Sequence, residues 1–335
     1  MTNLPPLPAF DDLGILVTGG TGSFGKALVR HITTHYTPRR LVVFSRDEMK
    51  QYEMSQEFPD TKFPFIRYFI GDVRDTERLE IALRGIDVII HAAALKHVPI
   101  AEYNPFECIH TNVLGAENVV RAALRARVKR VIALSTDKAV NPINLYGASK
   151  LAADKIFIAA NVLAGDLGTR FCVVRYGNVV GSRGSVVPFF RRLCAEKADH
   201  IPITDPRMTR FWITLDQGVG FVLSCMNAMV GGEVFVPRCP SIRIVDLAKV
   251  IAPAIPQKIV GIRPGEKLHE ALITQDDARL TRKDKDRFVI LPSGWDHLLM
   301  HYSDLSLQPV DETFSYTSDA NDWLLEGDNI KQFLK

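Results

Sequence analysis

From Leu13 onward, short runs of apolar and largely β-branched residues alternate with longer stretches whose apolar positions recur at helical spacing. The short runs fall at 15–18, 41–44, 65–70, 88–91, 131–135 and 171–175, and read as strands. Helical stretches lie between them, for example 116–126, with Ala, Val and Leu on one face, and 151–163, rich in Ala and Ile. Six strands separated by helices predict an α/β fold of the Rossmann type, a doubly wound parallel sheet, and each crossover is long enough for a βαβ unit. After Arg175 the regularity breaks. Gly, Pro and Ser gather in 176–188 and 202–206, and short strand and helix signals follow to about residue 293. The expected organisation is a dinucleotide-binding domain over 12–176, to which later segments can return. A smaller lobe over 177–293 would mainly bind substrate, followed by a C-terminal extension over 294–335. The charge-dense segment 281–287 reads as a solvated loop, and no internal repeat is visible.

The chain has 335 residues, room for about two domain-sized units. With 47% hydrophobic and 24% charged residues it is an ordinary globular composition, which excludes a disordered or fibrous protein. The 41 basic and 38 acidic residues leave a net charge of +3, too small an excess to argue for a nucleic-acid partner. The five cysteines, Cys108, Cys172, Cys194, Cys225 and Cys239, form no C-x-x-C pair and read as reduced thiols. His31 and His35 have the i, i+4 spacing of a metal pair but no carboxylate partner on their helix, so they read as a solvated face and no metal is expected. Residues 1–10 carry three prolines, no basic segment and no apolar run near the roughly 20 residues of a membrane span. No membrane association and a cytoplasmic location are expected.

Strand one runs into Thr18-Gly19-Gly20-Thr21-Gly22-Ser23-Phe24-Gly25, with Gly19, Gly22 and Gly25 in G-x-x-G-x-x-G spacing before a helix. Such glycines allow a tight turn, a close approach of backbone to a pyrophosphate, and packing of helix on strand, while the helix N-terminus faces the anion. Thr21, Ser23 and Phe24 fall in the same cofactor loop. Strand two ends in Phe44-Ser45-Arg46, where an NAD enzyme usually places an acidic residue. Arg46, with Ser45 and Lys50, suits a ribose 2′-phosphate, which selects NADP. In the alternative, Asp47 reaches the ribose and Arg46 is a surface cation. Asp72 and Val73 follow strand three and are assigned to the adenine edge. Ala92-Ala93-Ala94 follow strand four and are small enough to let the cofactor pass, with core packing as the competing explanation.

Strand five ends in Ser135-Thr136-Asp137-Lys138, and Tyr146-Gly147-Ala148-Ser149-Lys150 opens the next helix. Tyr146 and Lys150 are i, i+4 and share a face, so the ammonium is expected to lower the phenol pKa and to hold the nicotinamide ribose. Y-x-x-x-K alone is common. Joined to the glycine loop and a hydroxyl at the end of strand five, it is specific.

This constellation resembles the extended short-chain dehydrogenase/reductases, the group containing nucleotide-sugar epimerases and dehydratases. Retaining sugar-nucleotide 4,6-dehydratases have Thr-Asp-Glu where this chain has Thr136-Asp137-Lys138, and the lysine form is similar to the UDP-N-acetylglucosamine 4,6-dehydratases that invert C-5. The segments Ala94-Leu-Lys-His-Val-Pro99, Met208-Thr-Arg-Phe-Trp212 and Ile262-Arg-Pro-Gly-Glu-Lys-Leu-His-Glu270, and the run 175–188, extend the likeness. It covers about 12–290, with a further match at 318–324. A related group carries membrane spans ahead of the same core, and this chain shows none.

The resemblance implies a hydro-lyase using tightly bound NADP on UDP-N-acetylglucosamine, at the first step of pseudaminic acid synthesis and hence flagellin glycosylation, and working as a homo-oligomer, a dimer or a hexamer. It also implies that Lys96 and Asn178 contact the sugar or its diphosphate, that Arg263 pairs with the diphosphate, and that Glu266 and Lys267 close over the uridine. Arg210 stands open between substrate and a salt bridge, and Phe211 and Trp212 are equally well read as core. In the expected chemistry, Tyr146 as phenolate takes the proton of the sugar 4-hydroxyl. Lys138, made neutral by burial and by Lys150, removes the C-5 proton. Protonated Asp137 gives its proton to the departing 6-hydroxyl, and Thr136 hydrogen-bonds the 4-hydroxyl or serves as a cap. Against this, Lys138 would only anchor a phosphate or pair with Asp137. A retaining dehydratase does not fit Lys138, and a 4-epimerase has no need of the Asp137–Lys138 pair. A non-catalytic NADP sensor would lack the Tyr146–Lys150 pair.

Overall fold

The computed structural model describes residues 10–295, 298, 300–302 and 307–334. Six parallel strands, β1 (Gly14–Thr18), β2 (Arg40–Ser45), β3 (Ile66–Ile70), β4 (Val88–His91), β5 (Arg130–Thr136) and β6 (Arg170–Tyr176), lie in the order β3-β2-β1-β4-β5-β6. That is the Rossmann order, and all six strands expected from the sequence are present. β1, β4 and β5 are buried along their whole length because helices cover both sheet faces, which is why they read as apolar runs.

On one face, helix Ser23–His35 buries Leu28, Val29 and Ile32 against Val17 and Val43, beside helix Leu215–Ala228. On the other, helices Thr76–Ala82, Gly115–Arg125 and Leu145–Ala164 bury Leu79, Val119, Ala153 and Phe157. Each large aliphatic side chain so buried contributes about 1.5–3 kcal/mol. Register brings Thr18 opposite His91 and Thr136 opposite Tyr176, so the carboxyl ends of β1, β4, β5 and β6 open onto one crevice. Ligands of such sheets bind at that edge.

Beyond Tyr176 the chain both leaves and rejoins this sheet. Strand Val234–Pro237 pairs parallel with β6, and Arg287–Ile290, Thr281–Lys283 and Gln308–Pro309 continue it antiparallel. The segment 281–287 is therefore not a solvated loop as its charge suggested. Thr281 is buried, and Arg287 lies over the Phe221 ring and donates to Ser224 Oγ at 3.1 Å, leaving the turn 284–286 to water. A separate apolar cluster gathers Val187, Phe190, Ile203, Met208, Trp212 and Leu247 around the small sheet of Asn178–Val179, Thr209–Ile213 and Ser241–Arg243. Phe211 and Trp212 are fully buried, so packing accounts for them. Among the described residues no helix is long and apolar enough to cross a membrane.

Candidate active site

The crevice begins at Thr18, whose Oγ1 accepts from the backbone N–H of Ala92 and of Ala93, both at 3.2 Å, and lies 2.8 Å from His91 Nδ1. Gly19 follows with φ +63°, and a Cβ there would stand 2.9 Å from the Ala92 carbonyl carbon and the Ala93 Cα. Only glycine fits both the backbone angle and the space. Helix Ser23–His35 starts after Gly22 with no side-chain cap, so its first N–H groups await an acceptor at the crevice mouth. The loop thus fits a pyrophosphate.

The other residues assigned to the cofactor from the sequence are placed as follows. Thr21 Oγ1 donates to Ser45 Oγ at 3.0 Å, Ser23 Oγ accepts from Arg183 N at 3.2 Å, Phe24 stacks with Tyr176, and Gly25 is buried in the first helical turn. Arg46 is exposed and 3.4 Å from Asp72, which also binds Arg74. Asp47 caps helix Glu48–Glu57, accepting from Lys50 N at 3.0 Å, and its side chain also pairs with that of Lys50. Val73 is buried in the core, and its carbonyl accepts from Asn118. Among the described residues no group of His, Cys, Asp and Glu side chains could hold a metal ion, and the His31 and His35 rings stack at 4.3 Å.

The reactive side chains gather where β5 ends. Thr136 caps the single turn Asp137–Ala139, accepting from Lys138 N at 3.3 Å while its Oγ1 donates to Asp137 Oδ1 at 2.9 Å. Its hydroxyl is thus a cap, and it also pulls the Tyr146 pKa down. Lys138 Nζ lies 3.0 Å from Asp137 Oδ1 and 3.4 Å from Glu270 Oε1. Asp137 is wholly buried, and its Oδ2 has no hydrogen-bond partner. Helix Leu145–Ala164 is capped by Asn144, whose Oδ1 accepts from Gly147 N at 2.8 Å. A Cβ at Gly147 would stand 2.2 Å from the Lys138 carbonyl, so this glycine lets the helix carrying Tyr146 and Lys150 close on the Asp137–Lys138 turn.

The electrostatics differ from the sequence expectation at three residues. Burial favours the neutral form of Lys138, but the Asp137 and Glu270 carboxylates outweigh it and shift its pKa upward. Lys138 is therefore an ammonium here, not the neutral amine expected from burial and Lys150. Lys150 instead donates to the Leu134 carbonyl at 2.7 Å, and burial lowers its own pKa against the opposing pull of Asp154. Tyr146, rather than being lowered by Lys150, is pushed up to about 12, chiefly by burial, with Lys138 and Thr136 pulling the other way.

Of the expected substrate residues, Lys96 is exposed and donates to the Arg183 carbonyl at 3.0 Å, and its pKa is lowered by desolvation and then by the Lys138 charge. Asn178 is half-buried, near the Phe211 carbonyl. Arg263 is exposed and pairs with Glu266 at 3.4 Å. Arg210 is buried, donating to the carbonyls of Thr209, Lys267 and Leu268 and facing Glu266 and Glu270 at 3.8 Å, the salt-bridge arrangement. Lys267 donates to the Val140 carbonyl.

Three residues had no assigned role in the sequence reading. Glu270 is 2% exposed and reaches Lys138. Asp154 accepts from Ser135 Oγ at 2.7 Å and faces Arg175. Asn112 bonds both backbone groups of Leu95 and Ser149 Oγ, tying the Lys96 loop to the Tyr146 helix.

Sheet order, glycine loop and the Tyr146–Lys150 helix together define a Rossmann-type protein of the short-chain dehydrogenase/reductase kind. The chain belongs to the polysaccharide biosynthesis protein family, whose model matches residues 15–292. It is 55% identical over 319 residues, 93% of this chain and 94% of the relative, to UDP-N-acetylglucosamine 4,6-dehydratase (inverting) of Campylobacter jejuni, which bears out the resemblance seen in the sequence. It is also 42% identical over 275 residues, 80% of each chain, to UDP-glucose 4-epimerase of Rickettsia akari. Among solved structures, Pen from Bacillus thuringiensis matches 98% of both chains with a TM-score of 0.89 and 35% identity.

Proposed function

We propose that the protein is an NADP-dependent UDP-N-acetylglucosamine 4,6-dehydratase that inverts C-5, a hydro-lyase. The carrying observation is the pairing of buried Asp137 with partly buried Lys138 near Tyr146, an acid and a base within 3.0 Å of each other. An epimerase would need only the tyrosine–lysine machinery, so this pair favours elimination over the 4-epimerase reading that the Rickettsia relative suggests.

Gly19, Thr21, Gly22, Ser23, Phe24, Gly25 and Ala92 hold the cofactor backbone, with Asp72 and Val73 at the adenine. Ser45 and Arg46 bind a 2′-phosphate. NADP is supported over NAD by the two tasks Asp47 already has, as helix cap and as Lys50 partner. The bound nicotinamide supplies the hydride acceptor and, later, the donor. Lys150 would orient its ribose. Tyr146, held as a phenol by burial, must give up its own proton before it can accept that of the 4-hydroxyl, which the positive charge of an oxidised nicotinamide beside it would favour, and loss of hydride from C-4 would leave a 4-ketone.

In the elimination step the Lys138 proton would pass to Asp137 against the resting preference for the ammonium, and that single transfer would yield both the neutral amine and the protonated acid that elimination requires. Lys138 then takes the C-5 proton, and the C–H electron pair forms the C-5 to C-6 double bond as the 6-hydroxyl leaves. Asp137 delivers its proton to that oxygen and water departs. Return of hydride at C-6 and of a proton at the opposite face of C-5 completes a reaction with no net redox change. Lys96, Asn178, Arg263 and Glu266 bind the nucleotide sugar.

The protein works as a cytoplasmic homo-oligomer, a dimer or hexamer, in keeping with its five free cysteines and the exposed apolar Ile100, Tyr103 and Phe106. Its product is the 4-keto-6-deoxy sugar that begins pseudaminic acid synthesis. Mass spectrometry of UDP-N-acetylglucosamine incubated with the protein tests the reading. Loss of one water supports it, and an isomer of unchanged mass would favour the epimerase.

A further inference from the structure

Glu270 is the second carboxylate beside Lys138, after Asp137. Its backbone is fixed from both directions: its N–H donates to Ser318 Oγ at 2.9 Å, and its carbonyl accepts from Ser318 N at 2.8 Å. Its side chain is almost wholly buried, with Oε1 at 3.4 Å from Lys138 Nζ and 3.8 Å from Arg210 Nε. Oε2 is 3.6 Å from Lys267 Nζ and has no hydrogen-bond partner. Arg210 and Lys267 are themselves tied to backbone carbonyls, so they form a fixed cationic backing beside the Glu270 carboxyl, whose Oε1 faces Lys138. Lysine is a flexible four-carbon stem carrying a point charge, and it holds one position only when a partner fixes it. Asp137 cannot be that partner throughout, because in the dehydratase reading it gives up its charge when it takes the Lys138 proton.

We propose, resting on that reading, that Glu270 is a positioning residue for the elimination step: it anchors the Lys138 amine while Asp137 is protonated. After the proton has passed to Asp137, the remaining amine N–H groups still have an acceptor in Glu270 Oε1. The lone pair is thereby kept for the C-5 proton. Glu270 acts only through Lys138, so oxidation at C-4, which depends on Tyr146 and Lys150, does not require it.

The test separates the two half-reactions, using UDP-N-acetylglucosamine deuterated at C-5 and the cofactor-loaded protein. C-4 oxidation is read from the near-ultraviolet absorbance of reduced nicotinamide, and C-5 chemistry from deuterium released to solvent. Glu270→Gln should slow deuterium release by about tenfold or more, as expected when a reacting group is misplaced by an ångström or less, while C-4 oxidation stays near the wild-type rate and reduced cofactor accumulates. Ser318→Ala loosens the Glu270 backbone without removing its charge and should give the same split to a smaller degree. If Glu270→Gln does not fold, the serine variant decides the matter. Equal loss in both half-reactions, or no loss in either, overturns the inference. Wild-type protein that forms no 6-deoxy product overturns the dehydratase reading and this inference with it, whereas an active wild type with no split in the variants overturns this inference alone.

Discussion

Lys138 Nζ sits 3.0 Å from Oδ1 of Asp137, the residue immediately before it, and the aspartate's second oxygen is buried without a hydrogen-bond partner. In the proposed mechanism one proton passes between the two side chains, so neither can be removed without disabling the other's task. Lys138→Met and Asp137→Asn should each lower dehydration by roughly 10²–10⁴-fold, the usual contribution of a positioned acid or base. The double variant should lose little more than either single one, because residues acting as a unit are not additive. Product formation checks the first expectation, and cofactor retained after gel filtration shows that the binding site survived.

Arg46 is exposed and shares Asp72 with Arg74, so it is free to re-pair with a phosphate without unpicking the core. Arg46→Ala should weaken NADP about tenfold or more relative to NAD, in line with about 1.5–3 kcal/mol for hydrogen bonds to a charged group. Titration of cofactor-stripped protein with each dinucleotide measures the ratio. An unchanged preference would remove Arg46 from the 2′-phosphate site.

His91 gives the fold an acid sensitivity whose sign is fixed by its burial. Enclosed at the end of β4 and bonded to Thr18, it is pushed down to about 3 from 6.5, by burial first and by the Lys150 charge second. The unfolded chain protonates near 6.5 and the folded one does not, so the stability His91 contributes is complete above that value. It is lost as pH falls toward about 3, at about 1.4 kcal/mol per pH unit. Urea denaturation between pH 7 and pH 4 should show a steeper decline for the wild type than for His91→Gln, even though the variant starts less stable.

The sheet was legible because a parallel strand covered on both faces is buried throughout, as β1, β4 and β5 are, and so carries a run of apolar residues between its ends. The cofactor loop and Tyr146–Lys150 were legible because their chemistry depends on short spacings along the chain. The hairpin at 281–290 was hidden because its first strand presents charge at Arg282 and Lys283 and buries only Thr281. Glu270 was hidden for a related reason: an acidic residue is normally exposed, and nothing local marks one that folding will carry to Lys138. Asp137, its neighbour in sequence, and then this unseen carboxylate reversed the expected charge state of Lys138. Its burial was foreseeable, but the second anion beside it was not.

Proton NMR of UDP-N-acetylglucosamine incubated with the purified protein in D₂O tests the central claim most directly. The account expects a new C-6 methyl signal, a 4-ketone, deuterium at C-5 and the L configuration there, all absent with Lys138→Met. A methyl product of unchanged C-5 configuration would contradict inversion. Substrate left intact by cofactor-loaded protein, or converted only to its C-4 epimer, would contradict the dehydratase assignment itself.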